Sequence, residues 1–220
     1  MSTRAEQETV AWAGGVVSAV WDHPPQGGPY LVLGHGAGGT LHTPGLAKVA
    51  RALADLGIGV VRFNFPYAEA RRRVPDPQRT LEVCYRAVAE HVARRVGASL
   101  LGGRSMGGRI ASHLAAAGFP ARGLVFLSYP LHPPGQPDRL RDKHLVKITA
   151  PMLFVQGSRD PFATPALLHA TLERLRTATL HVVEGGDHGL KVRGRTEDDV
   201  VNELAGAVAA WICRVESAPS

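Results

Sequence analysis

One stretch constrains this chain more than any other: a short apolar strand that turns through glycines and a serine straight into a helix. Ala98 to Leu101 are small or apolar and read as a buried strand, while Met106, Ile110 and Leu114 recur at helical spacing before Gly118. Between them, Gly103-Arg104-Ser105-Met106-Gly107 fits the pattern G-x-S-x-G. A serine in that setting occupies a sharp, strained turn with its hydroxyl thrust out at the sheet edge. The flanking glycines are required because strand and helix backbones pass too close for side chains. The helix N-terminus beside the serine offers free N–H groups and a dipole that favour developing negative charge. With 25 glycines in the chain, the five-residue pattern alone says little. The strand before it and the helix after it give it meaning.

The remaining elements follow an alternating rhythm. Thr9 to Trp12 and Val16 to Trp21 flank Gly14-Gly15 and read as a hairpin. Short apolar strands are expected at Tyr30–Leu33, Ile58–Phe63, Leu124–Leu127, Met152–Gln156 and Leu180–Val183. Thr43-Pro44, Asp76-Pro77 and Thr164-Pro165 each look like an N-cap followed by proline in the first turn. The stripes behind them are Leu46/Val49/Leu53/Leu56, Leu81/Cys84/Val88/Val92 and Leu168/Leu172/Leu175. Thr196 with Asp199 resembles a capping box opening a last helix striped by Val200, Leu204, Val208 and Trp211. Asn64–Pro75 and the Pro-rich stretch from Tyr129 to about Ile148 read as loops. Continuously apolar strands joined by helices imply an α/β fold: a mostly parallel, twisted sheet with an antiparallel N-terminal hairpin and helices on both faces. No internal repeat or linker divides the 220 residues, so one domain over 1–220 is expected.

Right-handed crossovers put every strand-to-helix loop on one sheet edge. That edge would gather Ser105, then Asp160 in Gly157-Ser158-Arg159-Asp160-Pro161, then His188 in Gly185-Gly186-Asp187-His188-Gly189. The order Ser…Asp…His is the one expected with a nucleophile elbow. His188 would act as base toward Ser105 and then as acid toward the leaving group, and Asp160 would hold the imidazole tautomer. His35, His132 and His144 are rival histidines, and Asp187, Asp138 and Asp142 rival aspartates. Asp187 adjoins His188 in sequence and so can seldom turn back onto its ring.

Gly34-His35-Gly36-Ala37-Gly38-Gly39 follows a strand and would supply half of an oxyanion hole through the Ala37 N–H, the other donor being Met106 N–H. The same hexapeptide satisfies G-x-G-x-x-G. A dinucleotide site, however, needs an acidic residue ending the next strand, where Arg62 and Asn64 stand. No cofactor is expected, nor a metal: neither a Walker sequence nor a Cys/His metal spacing occurs. Tyr67, Met106, Tyr129, Leu131 and Phe162 are the expected wall of a shallow, open substrate site, with Arg104 as a structural residue beneath the turn.

These segments, together with Phe63-Asn64-Phe65-Pro66-Tyr67 and Gly107-Gly108-Arg109, resemble the alpha/beta-hydrolase superfamily. More narrowly they are similar to its small branch related to dienelactone hydrolases, with testis-expressed and NSL-complex-subunit-like relatives. The resemblance spans nearly the whole chain. It implies that Ser105, Asp160 and His188 form a triad acting on esters, thioesters, lactones or similar acyl compounds. It also implies minimal lid, since only the Tyr129–Ile148 stretch stands where many relatives insert one. Some members of the branch serve as scaffold subunits, which keeps a non-catalytic interaction module as the second reading.

Charge adds one expectation. The net charge is +6. Arg71 to Arg73, then Arg139, Arg141, Lys143 and Lys147, then Lys191, Arg193 and Arg195 all fall in loops of that same edge. They would make an electropositive mouth drawing in anionic acyl substrates, unless Glu69, Asp138 and Asp142 offset them. No aromatic-interleaved basic stripe suggests nucleic acid. No apolar run approaches the roughly 20 residues of a membrane span. The polar start, Met1 to Val10, argues against a secretory signal, and two lone cysteines, Cys84 and Cys213, point to a reducing, cytoplasmic compartment.

Overall fold

The computed structural model describes residues 4–217. Eight strands, β1 (Arg4–Trp12), β2 (Gly15–His23), β3 (Tyr30–Gly34), β4 (Gly59–Phe63), β5 (Leu100–Arg104), β6 (Leu124–Leu127), β7 (Met152–Gly157) and β8 (Ala178–Val183), form one sheet. Their order is β1-β2-β4-β3-β5-β6-β7-β8. β1 pairs with β2, and β2 with β4, antiparallel; every other pairing is parallel. Six helices accompany them: α1 (Pro44–Asp55), α2 (Pro66–Glu69), α3 (Gln78–Val96), α4 (Met106–Ala116), α5 (Pro165–Leu172) and α6 (Glu197–Ser217).

Although the central strands are apolar up to their last two residues, alternate positions serve different faces, as the pleat demands. Leu31, Leu33, Val125, Leu127, Leu153 and Val155 pack under α1 and α6 with Leu46, Leu53, Leu204 and Trp211. Val32, Val61 and Leu101 point the other way, into α3 and α4 with Tyr85, Val88 and Ile110. Toward β8, Phe126 and Phe154 face a third cluster with Leu145 and Leu168. Burial on both faces explains why these strands carry no polar residue until their ends.

The departures from the sequence reading lie in loops, in helix ends and in the first strand, which starts at Arg4 rather than Thr9. The Asn64–Pro75 segment contains α2, and its Glu69 accepts from Ser18 N–H, Ser18 Oγ and Asn64 Nδ2 at 2.9, 2.9 and 3.0 Å. α3 starts at Gln78, with Pro77 outside the helix and Asp76 paired to Arg72 rather than capping. Thr43 and Thr164 precede α1 and α5 as expected but make no side-chain cap bond. The capping box is present: Asp199 N–H donates to Thr196 Oγ1 at 3.1 Å, and Thr196 N–H to Asp199 Oδ2 at 3.3 Å. The Tyr129–Ile148 stretch holds a single 3₁₀ turn at Leu145–Lys147 and lies against the body, with Tyr129 and Leu131 fully buried, so no lid is built there.

Candidate active site

β5 ends at Arg104, and α4 begins at Met106, so Ser105 alone makes the turn. Its φ of 51° and ψ of −111° lie where few non-glycine residues sit. Three observations hold it there. Ser105 N–H donates to Leu127 O at 2.9 Å, and Arg109 N–H to Ser105 O at 3.1 Å. The glycines do the rest: a Cβ on Gly103 would sit 2.5 Å from the Gly107 carbonyl carbon, and one on Gly107 only 2.2 Å from Gly34 O. β3, β5 and α4 thus touch backbone to backbone, and Ser105 is forced outward.

Two other loops reach the same point. His188 Nε2 lies 2.9 Å from Ser105 Oγ, and His188 Nδ1 lies 2.7 Å from Asp160 Oδ2. Asp160 is 1% exposed, and its oxygens accept further bonds from Gln156 Nε2 at 2.5 Å and Phe162 N–H at 2.8 Å. An Asp160 carboxylate facing Nδ1 fixes the tautomer with Nδ1–H donating and Nε2 open toward the serine. The β7 and β8 loops meet through glycine again, since a Cβ on Gly157 would fall 2.3 Å from Gly186 O.

The rivals have other work. Asp187 Oδ1 accepts from Gly189 N–H and Lys191 N–H at 2.7 and 2.9 Å, so it shapes the loop that carries His188. Asp142 is buried against Thr171 and Arg174. His144 stacks on His113, its ring centroid 3.8 Å away. His132 lines the cavity but its Nδ1–H donates to Pro133 O at 2.8 Å.

Ser105 and His188 open into a cavity of about 470 Å³ also lined by Ala37, Met106, Phe162 and His132. Phe162 packs edge-on against His188, ring centroids 4.5 Å apart. Ala37 and Met106 amides both make no hydrogen bond to protein among the described residues, while neighbouring Gly38 and Gly39 N–H groups are taken by Tyr67 Oη and Gly36 O.

The expected wall needs correcting. Tyr67, Tyr129 and Leu131 are 0% exposed and do not line the cavity, because each aromatic hydroxyl has found an internal partner. Tyr67 Oη accepts from Gly38 N–H at 3.1 Å and donates toward Gly36 O at 3.3 Å, stapling the glycine loop from beneath. Burial pushes its hydroxyl up to about 12. Tyr129 Oη donates to Arg141 O at 3.1 Å. Leu131 N–H donates to Phe162 O at 2.9 Å, so Leu131 contributes through its backbone.

His35 anchors the same loop. Its Nδ1–H donates to Gly36 O at 2.8 Å, and its Nε2 accepts from Phe65 N–H at 3.1 Å. Burial lowers its pKa to about 4, since the charged ring would lose water and its protonated Nε2 could no longer accept from Phe65 N–H. The unfolded chain therefore binds a proton near 6.5 that the folded chain refuses until about 4. Stability is full above pH 6.5 and falls as pH drops through that window, His35 accounting for about 2–3 kcal/mol by pH 4. Urea unfolding at pH 7, 5.5 and 4.5 reads this slope; a flat profile would contradict it.

The dinucleotide reading of the glycine loop does not fit. α1 begins at Pro44, beyond the glycines, so no helix N-terminus faces a pyrophosphate there. Arg62 at the end of β4 is 5% exposed and forked onto Asp22, with distances of 2.8 and 3.1 Å, and it donates to Leu41 O. Asn64 Oδ1 accepts from Leu41 N–H at 2.9 Å. Both residues pin the glycine loop; the Asp22 partner, two strands away in sequence, carries no local signal. Among the described residues no group of three or more His, Cys, Asp and Glu is placed to hold a metal, and no helix is long and apolar enough to cross a membrane.

Comparison with known proteins agrees with this architecture. A serine hydrolase without lid from Xanthomonas campestris is 25% identical, with a TM-score of 0.75 over 100% of this chain and 99% of its own. A dienelactone hydrolase from Anabaena variabilis is 17% identical, with a TM-score of 0.77 over 97% and 99%. A serine hydrolase homologue from Coxiella burnetii is 20% identical, with a TM-score of 0.77 over 96% and 98%. The family model described as "Alpha/beta hydrolase domain" matches residues 28–213, which takes in the serine turn, the glycine loop and the histidine loop, and the chain belongs to that family.

Proposed function

We propose that this hydrolase cleaves a small ester, thioester or related acyl compound through a Ser105–His188–Asp160 triad, as a carboxylesterase-like enzyme without cofactor. The observation that carries the reading is the continuous hydrogen-bonded chain Ser105 Oγ–His188 Nε2 and His188 Nδ1–Asp160 Oδ2, at 2.9 and 2.7 Å, ending in an accessible cavity. His188 takes the hydroxyl proton as Oγ attacks the acyl carbon. The resulting oxyanion lies against the free N–H groups of Ala37 and Met106, each worth about 2.7–4 kcal/mol in such sites. His188 then gives its proton to the departing alkoxide or thiolate, leaving an acyl-Ser105 ester. Water, deprotonated by His188, attacks that ester, and the carboxylic acid leaves as Ser105 recovers its proton. Cys84 and Cys213 are both free thiols, in keeping with a cytoplasmic setting.

A fluorophosphonate probe tests the assignment. Wild-type protein is expected to label stoichiometrically and Ser105→Ala not at all, with both equally folded by circular dichroism. Labelling that survives the substitution would remove Ser105 from its role; folded wild type that never labels would leave the interaction-module reading in its place.

A further inference from the structure

The cavity beside Ser105 holds an unneutralised pair of guanidinium groups. Arg109 and Arg141 both line it, together with Arg104, whose Nη2 lies toward Gly189, and one carboxylate, Asp76. Arg109 lies one helical turn beyond Ser105, its N–H bonded to Ser105 O, so its side chain rises from the same helix face as the serine. Among the described residues its guanidinium donates to neutral partners alone, Gln78 Oε1 at 2.9 Å and His113 Nε2 at 3.4 Å. Arg141 makes no side-chain hydrogen bond and no ion pair among the described residues. Burial and the neighbouring charges of Arg109 and Arg139 pull its pKa down.

The nearby acids engage other groups. Asp142 is taken by Arg174, and Glu69 by Ser18 and Asn64; Asp76, itself on the cavity wall, pairs with Arg72 through Oδ1 and leaves Oδ2 without a partner among the described residues. Glu82 accepts from Gln78 Nε2 at 2.7 Å and stands 4.0 Å from His113. No carboxylate lies within hydrogen-bonding reach of either Arg109 or Arg141 among the described residues. Two half-buried cations facing one cavity repel each other and gain only when an anion comes between them.

We infer that Arg109 and Arg141 bind a carboxylate on the substrate, about one helical turn from the acyl carbon that Ser105 attacks. This rests on the hydrolase reading above and names the substrate class: acyl compounds bearing a second, anionic group. It also relocates the basic mouth expected from sequence. Of the ten loop cations named there, only Arg141 lines this cavity, and its partner comes from α4.

The test compares 4-nitrophenyl hemisuccinate with 4-nitrophenyl butyrate, and 4-carboxyphenyl acetate with phenyl acetate, at low and high ionic strength. At low salt at least one anionic ester is expected to exceed its neutral counterpart about tenfold or more in kcat/KM, mostly through KM, and to lose that lead as salt rises. Whichever pair differs tells whether the carboxylate belongs to the acyl or the leaving group. In Arg141→Gln, and in Arg109→Gln with Arg141→Gln, the ratio is expected to fall to within about twofold, and Arg141→Lys to restore part of it. Ratios near one in wild type, or a preference that survives the double variant, overturn the assignment. Calorimetry on Ser105→Ala protein separates this from failure of the hydrolase reading. Succinate should bind and succinamide should not, with binding lost in the arginine variants; succinate that fails to bind overturns the anion site whether or not Ser105 reacts.

Discussion

Asp160→Asn is expected to lower kcat by about 10⁴-fold while the protein stays folded. The carboxylate accepts from three donors: His188 Nδ1, Gln156 Nε2 and Phe162 N–H. An amide cannot accept on both of its heavy atoms. If its oxygen keeps Phe162, its NH₂ faces the Gln156 amide and His188 Nδ1, and the imidazole is driven to present an unprotonated nitrogen to it. Nε2 then carries the hydrogen and can no longer take the proton of Ser105. If the amide rotates instead, Phe162 N–H loses its acceptor, and the ring that packs on His188 shifts. The first outcome disables the base and the second displaces it, and neither empties the cavity, so KM for a neutral ester should change far less than kcat. Steady-state kinetics of an aryl acetate read this directly. A loss under about tenfold would mean that Asp160 is not the group that orients the histidine.

Gly107→Ala is expected to cost about 4 kcal/mol of stability or to prevent folding. The added methyl would meet Gly34 O at 2.2 Å, the Gly34 carbonyl carbon at 2.4 Å and His35 O at 2.8 Å. All three are backbone atoms of β3 and the loop after it, pinned by ladder bonds to β4 and β5, so no rotamer change relieves the contact. Relief must come from moving α4 off the sheet, which drags Met106 and Ser105 with it. Gly206→Ala in α6 is the control. Nothing lies within 4 Å of its added carbon, and exchanging a helix-interior glycine for alanine should stabilise by about 0.5–1 kcal/mol. Urea midpoints of the two variants should therefore move in opposite directions, and equal shifts would refute the close-packing account of the serine turn.

Much of this was readable because the relevant signals are local. The α/β alternation came from apolar runs separated by helical stripes, and Ser105, Asp160 and His188 came from their places after β5, β7 and β8. Glycine did the rest: where two backbones must touch, only glycine serves, and that need is written in the sequence itself. The interior wall was not readable. Tyr67 and Tyr129 sit on the right loops, but whether an aromatic ring faces a cavity or the core depends on a hydrogen-bond partner from another element. Here those partners are the Gly36–Gly38 loop and Arg141 O.

Charge illustrates the division most sharply. The sequence by itself determined how many basic residues stand on the loops of one edge. It could not say which are neutralised, because an ion pair joins residues with no sequence relation, such as Asp142 with Arg174 or Asp22 with Arg62. The tertiary structure decided that Arg109 and Arg141 share the cavity with no carboxylate within hydrogen-bonding reach of either among the described residues. The local chain determined the strained serine, since its conformation depends on neighbours one or two residues away. Only the closed fold decided what surrounds it, because electrostatic environment is a property of space rather than of chain order.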